Sequence, residues 1–171
     1  MKNIVLFGFM GTGKSVVGEK VARALGMKYV DMDEIIEEKE GRTISDIFAN
    51  DGEEYFRQVE SETAVELARK DGLVISTGGG VVLNNENVKT LERTGIGICL
   101  NADAKVVYDR VKDESHRPLL EVENSKEKIE ELLELRAPFY ARVSHHIDTS
   151  NLSVDEVIQA VMDIVREDAQ A

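Results

Sequence analysis

The chain has one cysteine, three histidines and 21 basic residues against 33 acidic ones. It also lacks an apolar run long enough to cross a membrane. Each shortage excludes something. A lone cysteine, Cys99, lies in the apolar run GIGICL. It supports neither an internal disulfide framework nor a thiolate metal centre, and it reads as core filler. The amino-terminal MKNIVLFGFMG is too briefly apolar for a secretory leader and shows no small-residue cleavage pattern before its glycines. A cytoplasmic protein with no membrane partner is therefore expected. The formal charge of −12, with a pI near 4.7, leaves no basic stripe to neutralise a nucleic-acid backbone. His145 and His146 stand outside any cysteine or acid spacing typical of a metal site and read as strand or surface residues. No internal repeat, low-complexity linker or coiled-coil register interrupts the chain, and 171 residues with 42% hydrophobic content fit one domain spanning 1–171.

What is present is an alternation. The runs NIVLFG, KYVDMD, LVISTGGG, GIGICLNA and, less apolar, SHHIDTS are separated by stretches of helical period. That pattern predicts an α/β fold with a parallel sheet wrapped by helices. A first helix is expected over about Lys14 to Leu25, with Val17, Val21, Ala24 and Leu25 on one face. A last helix presents Val154, Val157, Ile158, Val161, Ile164 and Val165, and Ser153 followed by Glu156 has the form of its capping box. The polar stretch from Lys112 to Ser125 is the one long interruption, and a loop of that length in a compact domain usually has a function or moves.

The first strand runs directly into GFMGTGKS and then into the first helix. Gly8, Gly13, Lys14 and Ser15 satisfy G-x-x-x-x-G-K-[ST] in the context that gives the pattern a mechanism. Backbone N–H groups of Gly11, Thr12, Gly13, Lys14, Ser15 and Val16 would curl around phosphate oxygens, with the helix N-terminus adding partial positive charge. Lys14 would reach the outer phosphates, and the Ser15 hydroxyl would ligate Mg²⁺. The dinucleotide fingerprint G-x-G-x-x-G fails, because Val16 occupies its last position, so NAD is disfavoured. Neither N-K-x-D nor a D-x-x-G switch is found, which disfavours a GTPase.

Acids and arginines must then decide the chemistry. If the chain stays extended from Tyr29 to Asp33, Asp31 and Asp33 point to the same side, toward the phosphates. Mg²⁺ would bridge carboxylate and triphosphate there, with Asp31 holding it through water. An N-cap role for Asp33 on the following EIIEEKE helix competes and stays open. In SKEKIEELLELRAPFY the apolar stripe Ile129, Leu132, Leu133 continues at Arg136, before Pro138 is expected to end the helix. A cation on that face requires an anion. Arg57 flanks the face Phe56, Val59, Thr63, Leu67, with Glu60 in reach to fix its guanidinium, and a surface ion pair is the competing role. Gly78, Gly79 and Gly80 end the third strand, where close approach of a ligand competes with a simple tight turn.

With these motifs in order, the chain resembles the shikimate kinase family along nearly its whole length. GFMGTGKS matches the family's nucleotide loop and DMD its paired aspartates. FR at Phe56–Arg57 and GGG match its substrate cradle, RPLL from Arg117 to Leu120 its lid, and LELRAPFY its carboxylate-binding segment. The resemblance implies a three-layer P-loop kinase whose five-stranded parallel sheet has the order 2-3-1-4-5. It places a substrate segment at about 33–61 and a mobile lid at about 112–125. It implies phosphoryl transfer from ATP to the 3-hydroxyl of shikimate, in aromatic amino acid biosynthesis, by a monomer using Mg²⁺. Lys14, Asp33 and Arg117 would be catalytic. Asp33 would meet the hydroxyl, Arg57 and Arg136 the carboxylate, and Gly78, Gly79 and Gly80 the ring. Arg110 and Arg117 would join the nucleotide site, Arg110 near the adenine. His116 stands before the lid arginine where the family often has a basic residue, so the lid's electrostatic help is weaker. The rivals are another small-acid kinase, such as a gluconate kinase, and a regulatory domain that binds ATP without transferring phosphate.

Overall fold

The computed structural model describes residues 1–113 and 125–171. Five parallel strands form one sheet in the order β2-β3-β1-β4-β5. They are β1 (Asn3–Phe7), β2 (Lys28–Asp31), β3 (Leu73–Ser76), β4 (Gly95–Asn101) and β5 (His145–Asp148). β1 is fully buried at the centre, pairing with β3 through Val5↔Ile75 and with β4 through Val5↔Gly97. Strands covered on both faces read as unbroken apolar runs, which explains NIVLF.

Within β1 the side chains still alternate. Val5 and Phe7 enter one core with Ile75, Cys99, Val107, Ile129 and Tyr140. Ile4 and Leu6 enter the other with Val17, Val21, Val157 and Val161. The second core lies under α1 (Lys14–Leu25) and α7 (Val154–Gln170). The first lies under α3 (Ile44–Ala68), α4 (Asn85–Thr94), α5 (Ala104–Val111) and α6 (Ser125–Tyr140). A third cluster, Ile36, Ile47, Phe56 and Val59, holds α2 (Met32–Glu40) against α3. α3 bends at Gly52, whose backbone leaves the helical region.

The predicted first helix matches α1, and Ser153 and Glu156 form a complete capping box on α7. Cys99 is fully buried, as a filler should be, and burial pushes its thiol up to about 12. Four details differ. Ala24, expected on the inner face of α1, is exposed, and Gly18 and Ala22 complete that face with Val17 and Val21. Val154, the first residue of α7, is 41% exposed, while Val157 and Val161 carry the buried face. Pro138 does not stop α6, which continues to Tyr140. Proline in a last turn forfeits only one backbone bond, and Ala141 N still donates to Ala137 O at 3.0 Å. The chain also does not stay extended to Asp33. Asp31 accepts from the N–H groups of Asp33 and Glu34 at 2.8 and 3.2 Å, ending the strand and starting α2 at Met32. The N-cap considered for Asp33 thus belongs to Asp31. Among the described residues no helix is long and apolar enough to cross a membrane.

Candidate active site

The loop between β1 and α1 leaves the carboxyl end of the central strand. Gly13 caps α1 at φ 96°, a left-handed conformation that L side chains rarely adopt, so glycine is required where the loop turns into the helix. Thr12, buried, donates its hydroxyl to Phe9 O at 2.8 Å and closes the loop on itself. Lys14 Nζ folds back over the loop, donating to Gly8 O at 2.6 Å and Phe9 O at 3.0 Å. Ser15 and Val16 are exposed on the first turn. Arg110, from α5, donates to Gly11 O at 3.0 Å and also to the hydroxyl and carbonyl of Thr149, at 3.2 and 3.1 Å. Thr149 in turn hydrogen-bonds Asn101 O through both its N–H and its hydroxyl. The loop, the end of β4 and the segment after β5 are thereby tied together. The sequence reading marked Arg110 and missed Thr149.

Beside this loop stands a cluster of charges from three separate helices, α2, α3 and α6. Asp33, in the first turn of α2, lies against the glycine turn: a Cβ on Gly78 would come within 2.8 Å of Asp33 Oδ1 and 3.2 Å of Glu60 Oε2. Burial, followed by the nearby Asp31 and Glu60 carboxylates, pushes the Asp33 carboxyl up to about 6, with Lys14 pulling the other way. Glu60 is only 1% exposed. Burial raises its carboxyl above the ordinary value, while Arg57 and Arg136 hold it back. Arg57 Nη1 donates to Glu60 Oε1 at 2.9 Å. Its Nε lies 3.5 Å from Glu53 Oε1, an ion-pair distance without a hydrogen bond, so this buried N–H has no hydrogen-bond partner.

Arg136, half-buried on α6, lays its guanidinium over the Phe9 ring at 5.6 Å to the centroid. Its position over a phosphate-loop residue brings α6 to the same site as Asp33, Arg57 and Glu60. Gly78, Gly79 and Gly80 all keep φ outside the left-handed region. Crowding, not backbone freedom, favours glycine at two of the three: a Cβ on Gly78 or Gly80 would push aside the charged ends of Asp33 or Arg57, the latter met at 2.5 Å, while one on Gly79 would find ordinary contacts at 3.5 Å and beyond. Tyr140, one turn after Arg136, donates its hydroxyl to Gly79 O. Burial pushes that phenol up to about 12, so it stays a donor throughout the working pH range. Tyr140 was read from sequence only as part of a motif. Its spacing of four from Arg136 on one helix face was the available signal. Arg117 and His116 lie outside the described residues, as does all but the ends of the lid segment 112–125.

The donors that could hold Mg²⁺ are oxygens only. Asp31 spends Oδ1 on the amides of Asp33 and Glu34 and its carboxylate retains further acceptor sites, while the Ser15 hydroxyl is exposed on the first turn of α1. Among the described residues no group of three His, Cys, Asp or Glu side chains could cage a metal. This sparse set suits Mg²⁺, which keeps waters and binds through one or two protein groups plus substrate phosphates.

The shikimate kinase family model matches residues 10–166. A shikimate kinase of Thermodesulfovibrio yellowstonii is 48% identical over 162 residues, covering 95% of this chain and 94% of that protein. One from Thermoanaerobacter pseudethanolicus is 44% identical over the same share of this chain and 95% of its own. Among solved structures, shikimate kinase from Acinetobacter baumannii in complex with shikimate is 34% identical, with a TM-score of 0.91 over 98% of this chain and 94% of that one. A gluconokinase from Sinorhizobium meliloti reaches a TM-score of 0.63 at 19% identity, a likeness of fold alone.

Proposed function

The chain belongs to the shikimate kinase family, and on that premise we propose that it transfers the γ-phosphoryl group of ATP to the 3-hydroxyl of shikimate. The products are shikimate 3-phosphate and ADP, on the way to the aromatic amino acids. The observation that carries the reading is the placement of Asp33 between two unlike surroundings. The charge of Lys14 in the phosphate loop acts on it, and it also lies against the glycine turn and Glu60, the carboxylate that Arg57 and Arg136 hold back.

In-line phosphoryl transfer asks mainly for positioning and charge stabilisation. The loop amides of Gly11 to Val16 and the N-terminus of α1 bind the phosphates. Lys14 exchanges its bonds to Gly8 O and Phe9 O for phosphate oxygens. Ser15 and, through water, Asp31 would hold Mg²⁺, which would neutralise phosphate charge. Asp33 accepts the hydrogen bond of the substrate hydroxyl and is positioned to take its proton. A carboxyl poised near 6 is largely ionised at neutral pH yet basic enough to do so. Arg57 and Arg136 grip the substrate carboxylate, with Glu60 fixing the fork of Arg57 by a hydrogen bond and drawing Arg136 only by its charge. The turn Gly78 to Gly80 presents amides to the ring. Two opposite charges about 4 Å apart gain on the order of 4 kcal/mol at intermediate dielectric before desolvation. A pair of guanidiniums can therefore hold an acid despite the net charge of −12. Arg117 and the segment 112–125 act as the lid in the same reading, and 1–171 works as one domain, as a monomer in the cytoplasm.

The test is ADP release by the purified protein with ATP and Mg²⁺, alone, with shikimate and with gluconate. Stimulation by shikimate only is the expected result. Stimulation by gluconate instead would move the assignment to the rival kinase, and stimulation by neither would make the chain a regulator.

A further inference from the structure

The glycine turn has an orientation to maintain, and one side chain outside it fixes that orientation. Tyr140 donates to Gly79 O at 2.5 Å. The Gly79–Gly80 peptide is planar and trans, so its carbonyl and the N–H of Gly80 point in opposite directions. With the carbonyl held toward Tyr140 on α6, the Gly80 N–H faces away from α6. Gly80 also packs against the Arg57 guanidinium, as the 2.5 Å approach of a Cβ built there shows. A peptide between two glycines has little steric preference of its own. Tyr140 also stands next to the clamp itself: a Cβ on Gly79, whose carbonyl it holds, would lie 3.5 Å from Arg136 Nη1, and Arg136 opposes the effect of burial on the phenol. The ring is almost fully buried in the main core, while its edge borders a cavity of about 470 Å³ beneath Leu133, Ala137 and Ala141. Packing therefore places the ring, and the hydroxyl sets the peptide.

We propose that Tyr140 is a positioning residue that locks the Gly79–Gly80 peptide with the Gly80 N–H turned to the substrate and keeps Arg136 in register with that donor. This rests on the assignment of shikimate to the site. Tyr140→Phe deletes the oxygen and keeps the ring. The expected result is a shikimate KM raised about five- to twentyfold, the loss of one well-aligned hydrogen bond to substrate, with the ATP KM unchanged. In ¹⁵N-labelled protein, the Gly80 amide should shift strongly when shikimate is added to wild type. In the variant it should shift weakly or broaden through exchange, and its protection from hydrogen exchange in the complex should fall. A melting temperature within a few degrees of wild type separates this from lost packing. A variant with the wild-type shikimate KM and the same Gly80 response would overturn the role of Tyr140 while leaving the substrate assignment intact. A wild-type protein whose Gly80 amide ignores shikimate and whose ADP release does too would remove both.

Discussion

In the proposed reading, the groups that would face phosphate at the nucleotide end of the site are the backbone amides of one short run, Gly11 to Val16, between β1 and the first turn of α1. At the substrate end Asp33 comes from α2, Arg57 and Glu60 from α3, the glycines from the turn after β3, and Arg136 from α6. The first end is contiguous in the chain: its own backbone conformation sets it, and one long-range brace, Arg110, steadies it. The second exists only once α2, α3 and α6 have packed on the sheet, and its charges set one another's protonation: Asp33 is raised in part by Glu60, which is held back by both arginines. Substitutions at the first end should weaken one ligand. Those at the second should spread into pH dependence and stability.

The largest expected effect is at Asp33. Asp33→Asn should lower kcat by roughly 10² to 10⁴, the range of a lost general base, with ATP affinity little changed. The same change should make the protein more stable. The folded Asp33 carboxyl sits at about 6, above its ordinary 3.8. The native state thus holds this proton more tightly than the unfolded chain, an advantage present below about 3.8 and lost as pH rises through 6. At pH 8 the variant escapes that loss and should gain on the order of 1–2 kcal/mol by denaturant unfolding, shrinking toward zero at pH 4. Equal stability at both pH values would show that Asp33 is not strained by its neighbours.

Next in size, Arg136→Lys should raise the shikimate KM about tenfold or more, since lysine cannot present a planar fork to a carboxylate, and should leave the ATP KM alone. An unchanged shikimate KM would take Arg136 out of the binding role. Glu60→Gln sharpens the coupling. It removes one of the charges that raise Asp33, so the acid limb of kcat/KM, expected near pH 6 in wild type, should move to lower pH. A limb that stays in place would separate the two carboxylates. The smallest effect is expected at the local end: Arg110→Ala should raise the ATP KM only a few-fold and leave the shikimate KM untouched, because the loop keeps its own turn without this brace.

The same contrast governs what could be read from the chain. The phosphate loop was legible because its groups are contiguous and its flanking strand and helix have clear periods. The strand order followed from the family resemblance and is the order observed. At the other end, Arg136 showed itself as a charge on an apolar stripe, but its partner Glu60 could be placed only beside Arg57. The extended path assumed for Asp33 failed because a carboxylate two residues earlier captured two amides, an outcome that alternating periodicity does not register. Thr149 carries no motif, and Tyr140 shows only a spacing of four from Arg136 within one. Their bonds to Asn101 and Gly79 are made across the fold, and their partners are not encoded locally.

Arg110 bonds Gly11 to Thr149, so a loop near the start of the chain is fastened to the segment that follows its last strand. The glycine-rich motif is consequently no portable cassette: transplanted with β1 and α1 alone, it would arrive without its far anchor. A chain shortened before Thr149 would loosen its hold on phosphate even though every residue of the motif remained.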